Sequence, residues 1–319
     1  MKLAMRLLFL SVTLALVCSA GAAERALPFE PLVPKRQVGP ALVRVPVPVL
    51  VSAVDPARLN LRSSSLLVLD QSKSEVLVAR NAEAVRPIAS ITKLMTAMVV
   101  LDARLRMDQV LSIANADIDT LKGTHSRLQI GTQLTRRELL RLALMASENR
   151  AAAALARTYP GGFSAFVKAM NRKARALAMT RTHFVDSTGL SQNNVSSARD
   201  LARMVTAAHG YPLICEFTTT ASHVVQVRKG AAPLLFRNSN RLLQTQSKEW
   251  HIGMSKTGYT SEAGRCLVMH AKIGRRPVIV VLLNSWGKLT PIGDANRIRR
   301  WVETQAKHGR ESRVADQAN

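Results

Sequence analysis

Ser90-Ile91-Thr92-Lys93-Leu94-Met95-Thr96-Ala97-Met98-Val99-Val100-Leu101 is the stretch on which the fold turns. Its length and near-continuous apolarity, following Pro87, predict a helix buried on every side. Positions 90 and 93 share a face of such a helix, so a hydroxyl and an amine come within hydrogen-bonding reach. Alone the pair carries little weight, because a serine at a helix start is ordinarily a cap.

Working outward, Ser65 to Leu69 and Glu75 to Ala79 are short apolar runs separated by Asp70-Gln71-Ser72-Lys73-Ser74, a hairpin pattern. Downstream, Thr135 with Glu138 makes a capping box for a helix through Leu139, Leu140, Leu142, Leu144 and Met145. An alanine-rich helix from Asn149 to Arg157 stops near Tyr159-Pro160-Gly161-Gly162, and Phe163 to Leu177 and Ser197 to His209 predict two more. Beyond His223 the texture turns to strand, in Val224 to Val227, Cys266 to Ala271 and Val278 to Leu283, with Gly274-Arg275-Arg276 joining the last two. A final helix is expected from Gly293 to Gln305. Strands at both ends of a helical middle predict an α/β (α+β) fold: an antiparallel sheet built from both termini, flanked by helices, with an all-helical subdomain.

Four segments are expected. Residues 1–23 read as a secretory signal: Lys2 and Arg6, an apolar run from Leu7 to Val17, and Ala20-Gly21-Ala22 before the cleavage point. Residues 24–60 hold seven of the thirteen prolines and read as an extended leader, in which the Val45 to Val51 run has the alternative of packing along the domain edge. Residues 61–306 form the globular domain and 307–319 a polar, frayed tail. Removal of the signal takes Cys18, leaving Cys215 and Cys266, which read as two separate thiols with a bridge as the alternative in an oxidising compartment. No Cys/His spacing suggests a metal site, and no cofactor is expected.

Net charge is +24, or +22 after loss of Lys2 and Arg6. An exported chain so basic favours an anionic wall or membrane surface. Nucleic acid is disfavoured because aromatic residues are only 4% and none interleave with the basic runs as stacking requires.

Two further motifs follow Ser90 and Lys93 in order: Ser147-Glu148-Asn149 and Lys256-Thr257-Gly258. Together the three make a site. Serine is a poor nucleophile near neutrality, and a lysine takes its proton only where burial and a neighbouring cation lower the amine's proton affinity. Lys93 is placed as that base, with Lys256 the neighbouring cation. Ser147 is placed to relay the proton to a leaving amine, and Asn149 to orient a substrate peptide bond. Lys256 and Thr257, on a strand edge, can hold an anionic group, while Gly258 admits a substrate backbone. The backbone N–H groups of Ser90 and Tyr259 are the expected oxyanion donors.

On wider words the sequence resembles the low-molecular-mass penicillin-binding proteins, specifically their D-alanyl-D-alanine endopeptidase branch. These words are Ala89 to Thr96, Ser147-Glu148-Asn149-Arg150-Ala151-Ala152, Phe184-Val185-Asp186-Ser187-Thr188-Gly189-Leu190 and Ser255 to Thr260, and the likeness spans about residues 61–306. The resemblance implies a β-lactamase/transpeptidase-like fold, cleavage of peptidoglycan stem-peptide cross-links through an acyl-enzyme on Ser90, covalent inhibition by β-lactams, and action in the periplasm. No glutamate occurs between Glu148 and Glu216, so a class A β-lactamase's deacylating carboxylate has no glutamate counterpart there. Only 61 residues (319 − 258) follow Gly258, which the strands and last helix consume, so the carboxypeptidase branch's added β-domain is not expected. A carboxypeptidase trimming pentapeptide stems, or a non-catalytic basic wall-binding protein, are the rival readings.

Remaining candidates read as structural. Asp186 and Asn193 are expected to be loop residues. Arg265 reads as a solvated strand-end residue with carboxylate binding as its alternative, and His251, His270, Trp250, Trp286 and Trp301 as packing residues.

Overall fold

A computed structural model describes residues 54–227, 232–245 and 249–317, with the side chains of the final helix described as far as residue 306. The expected signal (1–23) and most of the leader, including the Val45 to Val51 run, lie outside the described residues.

The central sheet has five antiparallel strands: β1 (Ser65–Asp70), β2 (Glu75–Arg80), β3 (His251–Thr260), β4 (Gly264–Ile273) and β5 (Arg276–Ser285). Their order is β2-β1-β5-β4-β3, so the first two strands pair with the last three through Ser65↔Leu283 to Asp70↔Val278. The apolar runs are continuous because both faces are covered. Leu67, Leu69, Val268, Ile279 and Val281 face one core with the helices of the middle segment. Leu66, Val68, Leu267, Met269, Val280 and Leu282 face a second core with Ala295, Ile298 and Val302 of the last helix. Each such side chain contributes about 2 kcal/mol by leaving water.

The β1–β2 turn is closed by the expected Asp70, whose Oδ1 accepts from Ser72 N (3.0 Å) and Ser72 Oγ (2.6 Å). The middle segment supplies α1 (Thr92–Asp102), α2 (Arg136–Met145), α3 (Asn149–Arg157), α4 (Gly162–Ala176), α5 (Ala198–His209) and α6 (Pro212–Thr219). Thr135 and Ser197 cap α2 and α5, accepting from Glu138 N and Asp200 N. Helix α6 is absent from the sequence reading, although Pro212 at its first residue is a start signal. The short helix α7 (Arg241–Gln244) and a strand at Leu234–Arg237, paired with Ser222–Val225, are likewise additions.

The boundaries shift at both ends. Val54 bridges Val78 and Pro56–Leu59 forms a 3-10 turn, so regular structure begins before residue 61. Helix α8 spans Thr290–Gln317 rather than 293–305, because Pro291 is tolerated in a first turn and no proline follows it. Its Asp294 accepts from Ser63 N (2.8 Å) and Ser63 Oγ (2.6 Å), tying the helix start to the segment that enters β1.

Trp250 and Trp301 pack against the second core, Trp250 donating to Asn296 Oδ1 at 2.8 Å. Trp286 is 99% exposed, against its expected packing role, because β5 ends at Ser285 and its side chain has no covering layer. Cys215 and Cys266 are both free thiols. Cys266 is buried in β4, and burial pushes its thiol up to about 11.

Candidate active site

The turn before α1 presents Ser90. Ala89 has a positive φ of 47°, a 3-10 turn covers Ala89–Ile91, and Thr92 Oγ1 donates to Ala89 O at 2.8 Å. Helix α1 is covered all round, as its composition requires, and Lys93 is fully buried one turn after Ser90. Lys93 Nζ donates to Ser90 Oγ (2.8 Å), Asn149 Oδ1 (2.7 Å) and the Thr188 carbonyl (2.6 Å). Three acceptors fill the capacity of an ammonium. Burial nevertheless lowers the lysine to about pKa 7, against the opposing pull of Asp186, Glu148 and Asp119.

A second buried lysine lies alongside. On β3, Met254, Lys256 and Gly258 alternate onto one side, as period-two geometry requires. Lys256 Nζ donates to Ser147 Oγ (2.9 Å) and to the Thr257 carbonyl (3.0 Å). Its proton affinity falls well below that of a free lysine through burial, then through repulsion from Lys93. Ser147 occupies the α2–α3 link with a φ of 62°, and Glu148 caps α3. Asn149 opens α3; its carbonyl oxygen faces Lys93 and its amide donates to Thr124 Oγ1 at 3.0 Å. Thr124 is in turn held by Asp119, which also accepts from Leu121 N and Lys122 N.

Strand β3 is an outer strand of the sheet and forms the opposite wall. A β-carbon on Gly258 would lie 3.0 Å from Ile88 O and 3.1 Å from Ser90 N, so a side chain there would require the nucleophile turn to give way by a few tenths of an ångström. Thr257 Oγ1 donates to Ser239 Oγ at 2.7 Å, and Ser239 N donates to Met145 O at 2.8 Å. Tyr259 is exposed, with the Arg265 guanidinium 4.2 Å from its ring centroid. Lys122 and Glu262 form an ion pair from the loop beside Asn149 to the β3–β4 turn, joining the two walls. That pairing holds the Glu262 carboxyl down at about pKa 2.

The structure therefore brings Ser90, Lys93, Ser147, Asn149, Lys256, Thr257, Gly258 and Tyr259 to one place, and Ser90 opens onto a cleft of about 400 Å³. Asp186 is a loop anchor: its carboxylate accepts from Thr188 N (2.6 Å), Thr188 Oγ1, Gly189 N, Ser191 N and Asn194 Nδ2. His251 is exposed away from the cleft lining, and His270 is buried, stacked 3.6 Å from His209. Sequence reasoning missed Thr188 and Ser239. The first acts through its carbonyl, which no residue type announces, and the second lies in no recognised motif.

Among the described residues no cluster of three or more His, Cys, Asp or Glu side chains could hold a metal, and no helix is long and apolar enough to cross a membrane.

Residues 51–287 match the family model described as D-alanyl-D-alanine carboxypeptidase. The chain is 53% identical over 249 residues to the D-alanyl-D-alanine endopeptidase of Pseudomonas aeruginosa, covering 78% of this chain and 80% of that relative. It is 45% identical over 253 residues to the D-alanyl-D-alanine endopeptidase of Escherichia coli, covering 79% and 81%. Among solved structures, a Streptomyces DD-transpeptidase is similar with a TM-score of 0.70 at 27% identity, covering 79% of this chain and 98% of that one.

Proposed function

As the chain belongs to the D-alanyl-D-alanine carboxypeptidase family of serine peptidases, among the low-molecular-mass penicillin-binding proteins, we propose that it is a DD-endopeptidase that opens D-alanyl cross-links of peptidoglycan. The observation that carries the reading is the 2.8 Å contact of Lys93 Nζ with Ser90 Oγ beside the Lys256–Ser147 pair, in one open cleft. Identities of 53% and 45% to endopeptidases, against 32% and 31% to carboxypeptidases of Bacillus subtilis and Escherichia coli, favour cross-link cleavage over trimming of pentapeptide stems.

In this reading Ser90 Oγ attacks the D-alanyl carbonyl while neutral Lys93 takes its proton. The N–H groups of Ser90 and Tyr259 stabilise the oxyanion, and the nearness of Gly258 to Ser90 N supports that pairing. As the C–N bond breaks, Ser147, bonded to Lys256, gives its hydroxyl proton to the leaving amine and recovers one from the Lys93 ammonium, which leaves the stem peptide esterified to Ser90 and Lys93 neutral again. Asn149 and Thr257 orient the peptide against β3, whose free edge can accept it as an added strand. Water then attacks the ester as Lys93 takes its proton, and Lys93 returns that proton to Ser90 Oγ as the ester C–O bond breaks, which frees the peptide acid and restores Ser90.

The ester formed with a β-lactam should hydrolyse slowly. Asp186 is engaged by five donors and no glutamate lies between Glu148 and Glu216, so no spare carboxylate is available there to activate water. Action in the periplasm follows from the reading of residues 1–23 as a cleaved signal, and the charge of +22 that remains (24 − 2) supports association with an anionic wall or membrane surface.

Chromatography of digests tests the proposal: cross-linked peptide dimers should yield monomers, and Ser90→Ala should abolish both this and labelling by a fluorescent penicillin. Labelling retained in Ser90→Ala would overturn the nucleophile. Turnover of pentapeptide alone would move the reading to carboxypeptidase.

A further inference from the structure

Three cations line the cleft without a part in the chemistry above: Arg241 at the first residue of α7, Arg265 at the start of β4, and Lys288 between β5 and α8. Among the described residues no Asp or Glu lines the cleft with them. None of the three has an acidic partner among the described residues, whereas Arg157, Arg203, Arg297 and Arg299 are all in ion pairs. Arg265 lies against the ring of Tyr259, its cross-strand neighbour. Stacking engages the flat face of a guanidinium and leaves its N–H edge to donate, with little mobility left to lose on binding.

Three uncompensated positive charges around one concave site concentrate anions there. One terminal carboxylate would be met by Lys256, Thr257 and one of these cations; the other two, contributed by separate elements, suit a ligand with several carboxylates spread along it. We propose that Arg241, Arg265 and Lys288 form an anion subsite that selects acidic, cross-linked peptides, with carboxylates on both joined strands, over substrates carrying one terminal carboxylate. The proposal rests on the endopeptidase reading and names the feature of the substrate that this cleft reads.

The test compares kcat/KM on a purified cross-linked peptide dimer with free carboxylates and on the same dimer with those carboxyls amidated. The wild-type protein should prefer the free form, and Arg241→Gln, Arg265→Gln and Lys288→Gln should each reduce that preference roughly fivefold, mainly through KM. Lys288→Glu should reduce it further, because it places repulsion where attraction stood. Raising the salt from about 0.05 to 0.5 M should erode the preference of the unaltered protein, which tests the idea without a variant. Equal turnover of both dimers by the wild type, or a preference unmoved by salt and by all substitutions, overturns the subsite and leaves the endopeptidase reading intact. Failure of the wild type to cleave either dimer overturns that reading instead.

Discussion

Gly189 meets Ala89 so closely that a β-carbon at 189 would lie 1.9 Å from the Ala89 carbonyl oxygen, with both residues at positive φ (82° and 47°). The loop anchored by Asp186 is thereby seated against the turn that presents Ser90. Gly189→Ala must displace one of them. Acylation of Ser90 by a penicillin should fall about a hundredfold, the usual effect of a misplacement near 1 Å. Stability should fall by about 1–3 kcal/mol from backbone strain and overpacking. Stopped-flow acylation and urea unfolding measure the two; acylation at the wild-type rate would show that the loop does not position the turn.

Lys93, lowered to about pKa 7 by burial, is charged below that pH and a free base above it. The acylation rate should therefore rise with pH through a midpoint near 7 and level off. Lys93→Arg keeps its proton throughout and should acylate about a thousandfold more slowly at every pH. A flat wild-type profile between pH 5 and pH 9, on the order of two units either side of 7, would remove Lys93 as the base.

Asp186→Ala leaves five donors without their carboxylate, and the expected loss is about 3 kcal/mol in urea unfolding. The same change removes a negative charge that favours the Lys93 ammonium and loosens the Thr188 carbonyl that accepts from it. Both effects disfavour the charged form. The midpoint of the pH–acylation profile should move to lower pH; a move upward contradicts the electrostatic account.

His270 is held down to about pKa 4 by burial and by the stacked His209, from an ordinary value of 6.5. Its folded pKa is depressed, so the protein keeps its full stability above pH 6.5 and loses it as the pH falls toward 4, where the unfolded chain takes the proton first. The loss should be roughly 2 kcal/mol after allowance for partial solvent screening. Urea unfolding at a series of pH values checks it, and His270→Gln should flatten the slope.

The sheet and the helical insertion were legible because they are written in periodicity and caps. Asp70, Thr135 and Ser197 each close or open an element by a hydrogen bond to a residue two or three positions away, which a local reading can see. The site residues were legible for a related reason: their order along the chain is a signature even though no single motif is. Long-range backbone contributions were hidden. The Thr188 carbonyl, 95 residues from Lys93, carries no side-chain signal for its role, and the Gly189 approach to Ala89 is a matter of tertiary distance. Trp286 was misread because aromatic content says nothing about whether a neighbouring layer exists to cover it.

The nitrogen of Lys93 is grasped by atoms from residues 90, 149 and 188, stretches that meet only in the finished fold. A half-collapsed chain carries the same serine and lysine, yet its amine stays hydrated and protonated and its hydroxyl is inert. Completion of folding is then the arming step. A newly made molecule is harmless to its surroundings until it is whole.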